Sequence, residues 1–215
     1  MSEYKQLKIV EEDFEVDVID EEEEVGVPTR IEPQVISMEK MMDMANMLAK
    51  STIVPQEYRN RPENVFLALD TANRLGMSPL SIMNGMYIVQ GRPSFSGSFI
   101  AGLLKSTPLF SDVELVWVGE KGKDNWGCYV QAIETRTGKL LKGPTVDIRM
   151  AKGEGWTRNI KWQTMPELML TYRAYSFFGR THASELLSGI YDRDEMEDVR
   201  LLKQQRVNNP YNKKE

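Results

Sequence analysis

Ten side chains between Arg149 and Arg180 bring cations and flat rings into one stretch: Arg149, Lys152, Trp156, Arg158, Lys161, Trp162, Tyr172, Arg173, Tyr175 and Arg180. Cations neutralise backbone phosphates and flat rings stack on unpaired bases, so the mixture suits contact with a single strand of nucleic acid. The competing reading is structural. Tyr172, Tyr175, Phe177 and Phe178 would be core aromatics of one helix, and Arg173 above all would be drawn into an internal ion pair. Both readings stay open for each ring.

Other chemistries find less to work with. A nucleotide-driven motor needs a glycine-rich loop ending in Lys-Ser or Lys-Thr, whose amides and lysine cradle phosphates. Gly119-Glu120-Lys121-Gly122-Lys123 lacks the hydroxyl residue, and Lys152-Gly153-Glu154-Gly155 is too short, so both read as turns. A metal-dependent nuclease needs clustered carboxylates, and Asp192, Asp194, Glu195, Glu197 and Asp198 are the only dense group. Their simpler role is to cap a helix through Asp192 or Asp194, with the others complementing its dipole and facing solvent. His182 is the only histidine and Cys128 the only cysteine, which argues against a disulfide, a zinc site or a hydrolase and leads us to expect no metal and no cofactor. Cys128 sits in an apolar run and reads as core.

The net charge of -5 argues at first against a polyanionic partner, but the charge is unevenly placed. Residues 1–35 hold three basic residues against twelve acidic ones, and residues 139–182 hold eight basic against three acidic. Immediately afterwards Glu185, Asp192, Asp194, Glu195, Glu197 and Asp198 outweigh Arg193. We read residues 1–35 as an acidic disordered arm, 36–198 as a single core domain and 199–215 as a short charged tail. The arm would repel phosphate and could compete with it for the basic stretch. No run of about 18 apolar residues exists, so no membrane span is expected, and the start of the chain lacks a secretory pattern, so an intracellular, cytoplasmic address is expected.

The elements that position these residues follow from periodicity. Met38, Met41, Met42, Ala45, Leu48 and Ala49 recur at helical spacing behind Ser37 as N-cap, which predicts a helix over 37–50. Pro62 and Gly76 bracket a second helix, and Pro79 opens a shorter one. Met86 to Val89 and Pro93 to Ser96 flank Gln90-Gly91-Arg92 as a tight hairpin with Arg92 at its exposed tip, where it would insert beside a bound strand. A helix through Phe99 to Leu104 follows. Val113–Val118 and Trp126–Thr135 form a second hairpin, and Val146 and Ile148 belong to a further strand. One short helix spans Ala151 to Trp156. Thr164 with Glu167 three residues on predicts the capped start of a helix reaching about Arg180, and a charged helix runs from Asp194 to about Arg206.

A set of segments in fixed order carries a resemblance. Leu48-Ala49-Lys50-Ser51, Val54-Pro55, Pro62-Glu63-Asn64 and Ala72-Asn73-Arg74-Leu75-Gly76-Met77-Ser78-Pro79 are followed by Tyr87, Val89-Gln90-Gly91 and Pro93-Ser94. Trp126-Gly127-Cys128-Tyr129, Lys142-Gly143-Pro144, Ala151-Lys152, Glu154-Gly155-Trp156, Trp162, Thr164-Met165-Pro166-Glu167-Leu168-Met169-Leu170 and Tyr172-Arg173-Ala174 complete it. Over about residues 45–200 the chain resembles the RecT-type single-strand annealing proteins of phages and prophages. The acidic arm lies outside the match, and little chain remains beyond it for a C-terminal partner-binding module.

The resemblance implies an α+β fold, a small antiparallel sheet packed on a long helix with N-terminal helices, assembling as a homo-oligomer into rings or filaments. It implies ATP-independent binding of single-stranded DNA, annealing to a complementary strand through a duplex intermediate, and no covalent catalysis. The DNA-binding set would be Arg92, Arg149, Lys152, Trp156, Arg158, Lys161, Trp162, Tyr172, Arg173 and Arg180. Partners would include a phage 5'-3' exonuclease and a single-strand-binding protein in a bacterial host. Two other classes remain as alternatives: a nuclease using the 192–198 carboxylates, and a phage assembly scaffold without DNA function.

Overall fold

The first helix begins where a side chain can satisfy its free amides. In the computed structural model, which describes residues 36–208 apart from Gln90, the Ser37 hydroxyl accepts a hydrogen bond from the Lys40 amide at 3.3 Å. The expected acidic arm lies outside the described residues. Helix α1 (Met38–Ala49) turns Met41, Ala45 and Ala49 inward against α2 (Pro62–Leu75), which has Pro62 in its first turn and ends at Gly76 with φ 62°. Only a residue without a Cβ takes that left-handed angle at little cost, which explains the stop. Tyr58, fully buried between them in sequence, donates its hydroxyl to the Met86 carbonyl at 2.8 Å and ties this helical part to the strands.

Helix α3 (Pro79–Gly85) runs directly into β1 (Met86–Val89), which pairs antiparallel with β2 (Arg92–Phe95). Ser96 then caps α4 (Gly97–Ser106) by accepting from the Phe99 amide at 3.2 Å. A second sheet contains β3 (Phe110–Val118), β4 (Gly127–Glu134) and β5 (Leu140–Lys142) in that order, with β6 (Val146–Asp147) also pairing with β4, all antiparallel. Cys128, Val130 and Ala132 of β4 are fully buried.

The 17-residue helix α7 (Pro166–His182) packs on β4 and on α4. Leu170, Ala174 and Phe178 are fully buried on its inner side, and Phe178 meets Phe110 of β3 edge to face with ring centres 5.3 Å apart. The molecule is therefore α+β with small antiparallel sheets and several helices. Among the described residues no helix is long and apolar enough to cross a membrane.

Four local features differ from the sequence expectation. Ile148 does not extend a strand: Asp147 accepts from the Met150 amide at 2.7 Å and starts α5 (Ile148–Gly153) there. The helix expected to reach Trp156 breaks at Gly155, φ 73°, and continues as a 3-10 turn over Trp156–Arg158. Thr164 does not cap the long helix. It closes α6 (Lys161–Thr164), donating to the Ile160 carbonyl, while Pro166 opens α7 without a side-chain cap. After α8 (Ser184–Leu187), the two-residue strand β7 (Tyr191–Asp192) pairs in parallel with β2 and leads into α9 (Arg193–Asn208). Helix α9 lies against the β1–β2 hairpin and the 3-10 turn, and it covers the charged helix expected from Asp194 to about Arg206.

Candidate nucleic-acid interface

The ten candidate residues divide sharply. Trp156, Trp162 and Arg173 form a buried stack: the Arg173 guanidinium lies 4.1 Å from the centre of the Trp156 ring and 5.9 Å from that of Trp162, and the two indoles are 5.5 Å apart. Arg173 is only 2% exposed, so its charge must be met inside the protein. Asp198 of α9 meets it at 2.5 Å, and Glu195 stands 3.8 Å from the other terminal nitrogen. The internal pair weighed for Arg173 from sequence is thus what the fold contains, and Trp156 and Trp162 are 9% and 3% exposed, which leaves little of either ring open for stacking.

Arg180, one turn and more along α7, pairs with Glu195 at 2.8 Å and lies over the ring of Phe177. Lys161 reaches Asp194 at 2.9 Å. The sequence reading has the carboxylates that do not cap α9 facing solvent, and for Asp194 and Asp198 the fold corrects this. Asp194 and Asp198 are buried, and they hold α9 against the basic side chains of α6 and α7. Asp192 does cap α9, accepting from the amides of Asp194 and Glu195 at 2.8 and 3.1 Å. Burial pushes its carboxyl up to about 7 despite Arg173, and the charges of Asp194 and Glu195 add to the rise. Burial raises Asp198 as well, with Arg173 opposing it.

The remaining candidates sit elsewhere. Tyr172 is half-buried at the crossing of α7 and α4, where a Cβ on Gly97 would come within 2.4 Å of its own Cβ. Arg149 on α5, Arg158 on the 3-10 turn and Arg92 on β2 are exposed and form no ion pair among the described residues. Lys152 is exposed too, paired across to Asp124 at 2.5 Å with both side chains more than half in solvent. The buried indoles act as anchors: with Trp156 and Trp162 fixed inside, the short α5, 3-10 and α6 pieces hold Arg149, Lys152 and Arg158 outward.

Two groups escaped the sequence reading. Arg193 and Arg200 of α9 lie, with Glu197 between them, along one helix face at spacings of four and three residues. That spacing was the available signal, hidden among the neighbouring acids. Cys128 is core as expected, and burial pushes its thiol up to about 12. Among the described residues no three His, Cys, Asp or Glu side chains gather in a metal-holding arrangement; Asp194, Glu195 and Asp198 instead pair with lysine and arginine. Comparison of the chain with protein-family models, curated proteins and solved structures finds no match.

Proposed function

We propose that the chain binds single-stranded DNA and anneals complementary strands without ATP, as a homo-oligomer in the cytoplasm of a bacterial host during phage recombination. The observation that carries the reading is the outward set Arg149, Lys152 and Arg158, held on short helical pieces by two buried tryptophans. Arg92 on the hairpin adds a further exposed cation. Unpaired exposed arginines are available to phosphates without breaking an internal bond, and neutralising phosphate is the main source of non-specific affinity.

On this reading Lys161, Arg173 and Arg180 serve the interface indirectly, by docking α9, and the bases of the bound strand remain free to pair. Exposed apolar side chains support assembly. Met38, Met47 and Ile53 lie at the N-terminal end of the described fold, and Ile160, Met165 and Leu168 at the α6–α7 junction. Two different patches suit a head-to-tail contact, which generates rings or filaments. An exonuclease that exposes single strands and a single-strand-binding protein would be the working partners.

The test is a gel-shift and annealing assay with complementary oligonucleotides and no ATP. Retarded single strands and accelerated duplex formation are the expected result. Strand shortening in magnesium would replace annealing with nuclease action, and absence of any DNA binding would favour a scaffold.

A further inference from the structure

Between β1 and α9 lies a cleft of about 450 Å³ bounded by Ile88, Val89, Lys161, Arg193, Glu197 and Arg200. Its volume falls within the range of ordinary small-ligand sites. Three cations face one carboxylate across this space. The charges are also incompletely used. Arg193 is 3.7 Å from Asp194, Arg200 is 3.7 Å from Glu197, and Lys161 is 3.9 Å from Glu197, all longer than a hydrogen bond. Among the described residues the one close ion pair here is that of Lys161 with Asp194, at 2.9 Å.

The Nε atoms of Arg193 and Arg200 are buried and have no hydrogen-bond partner among the described residues, while the rest of each side chain is open, at 35% and 43% exposed. A guanidinium offers five N–H donors in a planar fork, and leaving a buried donor unmet is costly. Arg193 is nevertheless held in place, its guanidinium 4.6 Å from the centre of the Tyr87 ring on β1. Two forks with spare donors, one of them held over Tyr87, beside a lysine and an apolar wall, match the oxygens of a phosphate group better than they match a carboxylate already present.

We infer that this cleft is a phosphate-binding site, with Arg193 and Arg200 as the donors and Lys161 as a supporting charge. Ile88 and Val89 then give a nonpolar surface on which the sugar or base attached to that phosphate can rest. The phosphate is either a free anion or a phosphodiester of a bound strand; only the second source rests on the annealing function proposed above.

The experiment uses the full chain with ¹⁵N-labelled arginine and follows the side-chain Nε–H signals, assigned by their loss in R193Q and R200Q. Inorganic phosphate is titrated in one arm and a thymidine oligonucleotide in the other, with gel shift of the same oligonucleotide run in parallel. Shifts of Arg193 and Arg200 in both arms, joined in the oligonucleotide arm by those of the outward arginines, support the site and assign it to the DNA path. In that case the double substitution R193Q/R200Q should flatten the dependence of log K on log salt by about 1.4, twice the ~0.7 expected per phosphate contact on a single strand. Shifts with phosphate alone support a site for a free anion. If the oligonucleotide then fails the gel shift, annealing falls and the phosphate site stands. If the oligonucleotide binds while neither arm moves these two signals, the site is overturned and annealing survives. Should the glutamine variants unfold, R193K and R200K keep the charge and lose the fork, and an unchanged phosphate affinity in both lysine variants would equally overturn the proposal.

Discussion

The basic side chains on α7 and those on α5 and the 3-10 turn come from one positively charged stretch of sequence, yet the fold uses them oppositely. Arg173 and Arg180 point toward α9 and are met by Asp198 and Glu195. Arg149 and Arg158 point outward and form no ion pair among the described residues. The sign of a charge in sequence therefore says little about whether it is available to a partner. What decides availability is whether an acidic element folds back onto it, and here the acidic run at 192–198 does so for only half of the set.

The hardest test of this division is to remove Arg173. Arg173→Met leaves Asp198 buried without its cation, and breaking a buried pair typically costs about 3–5 kcal/mol. Urea denaturation at pH 7 should show a loss of that size, smaller in acid where Asp198 takes up a proton. The salt dependence of DNA binding by the remaining folded protein should be unaltered. If instead stability held and the salt slope fell, Arg173 would belong with the outward group.

A second test uses pH. The folded Asp192 carboxyl titrates at about 7, above the ordinary aspartate value of about 3.9 in an unfolded chain. Between these values the folded state keeps a proton that the unfolded state has released. Stability is therefore greatest below the unfolded value and falls as pH rises through the window, with a slope of up to about 1.4 kcal/mol per pH unit. Thermal melts from pH 4.5 to 7.5 should record a decline in Tm. Asp192→Asn retains a cap oxygen and should flatten most of that decline.

Smaller effects are expected at the outward residues. Arg149→Ala and Arg158→Ala should each lower the salt slope of single-strand binding by about 0.7. Exposed substitutions of this kind usually move stability by no more than about 0.5 kcal/mol. Full retention of slope in both would remove α5 and the 3-10 turn from the proposed interface. Smallest of all is Asp124→Asn, which frees Lys152 from a solvent-exposed pair worth about 0–1 kcal/mol. Competition binding should show a gain in affinity of no more than about fivefold, and a loss would mean that the pair itself shapes the surface.

Elements with a strong local signal were legible. Ser37 as a cap, Pro62 and Gly76 as brackets, and the β1–β2 pairing around Gly91 all rest on short-range backbone chemistry, and all appear where the sequence places them. Strands β5 and β7 were not legible, because three and two residues are too few to show a period and each exists only through a partner strand. Thr164 misled for a related reason: the capping pattern was present, but Pro166 fixes the first turn of α7 and leaves the threonine to the preceding turn. At the site, the mixture of cations and rings was visible, whereas the burial of Trp156 and Trp162 was not. The one clue was that the basic run is followed at once by an acidic run of similar size, and that complementarity is what α9 realises.

The bond between Arg173 and Asp198 spans 25 positions of sequence. Synthesis at about 5–20 residues per second separates the two residues by roughly 1–5 s. For that interval a nascent chain carries the guanidinium and its two indoles without their covering helix, close to a ribosome made largely of polyanion. The order in which the ribosome makes α7 and α9 thus leaves the Arg173 guanidinium without its Asp198 partner until α9 has been made.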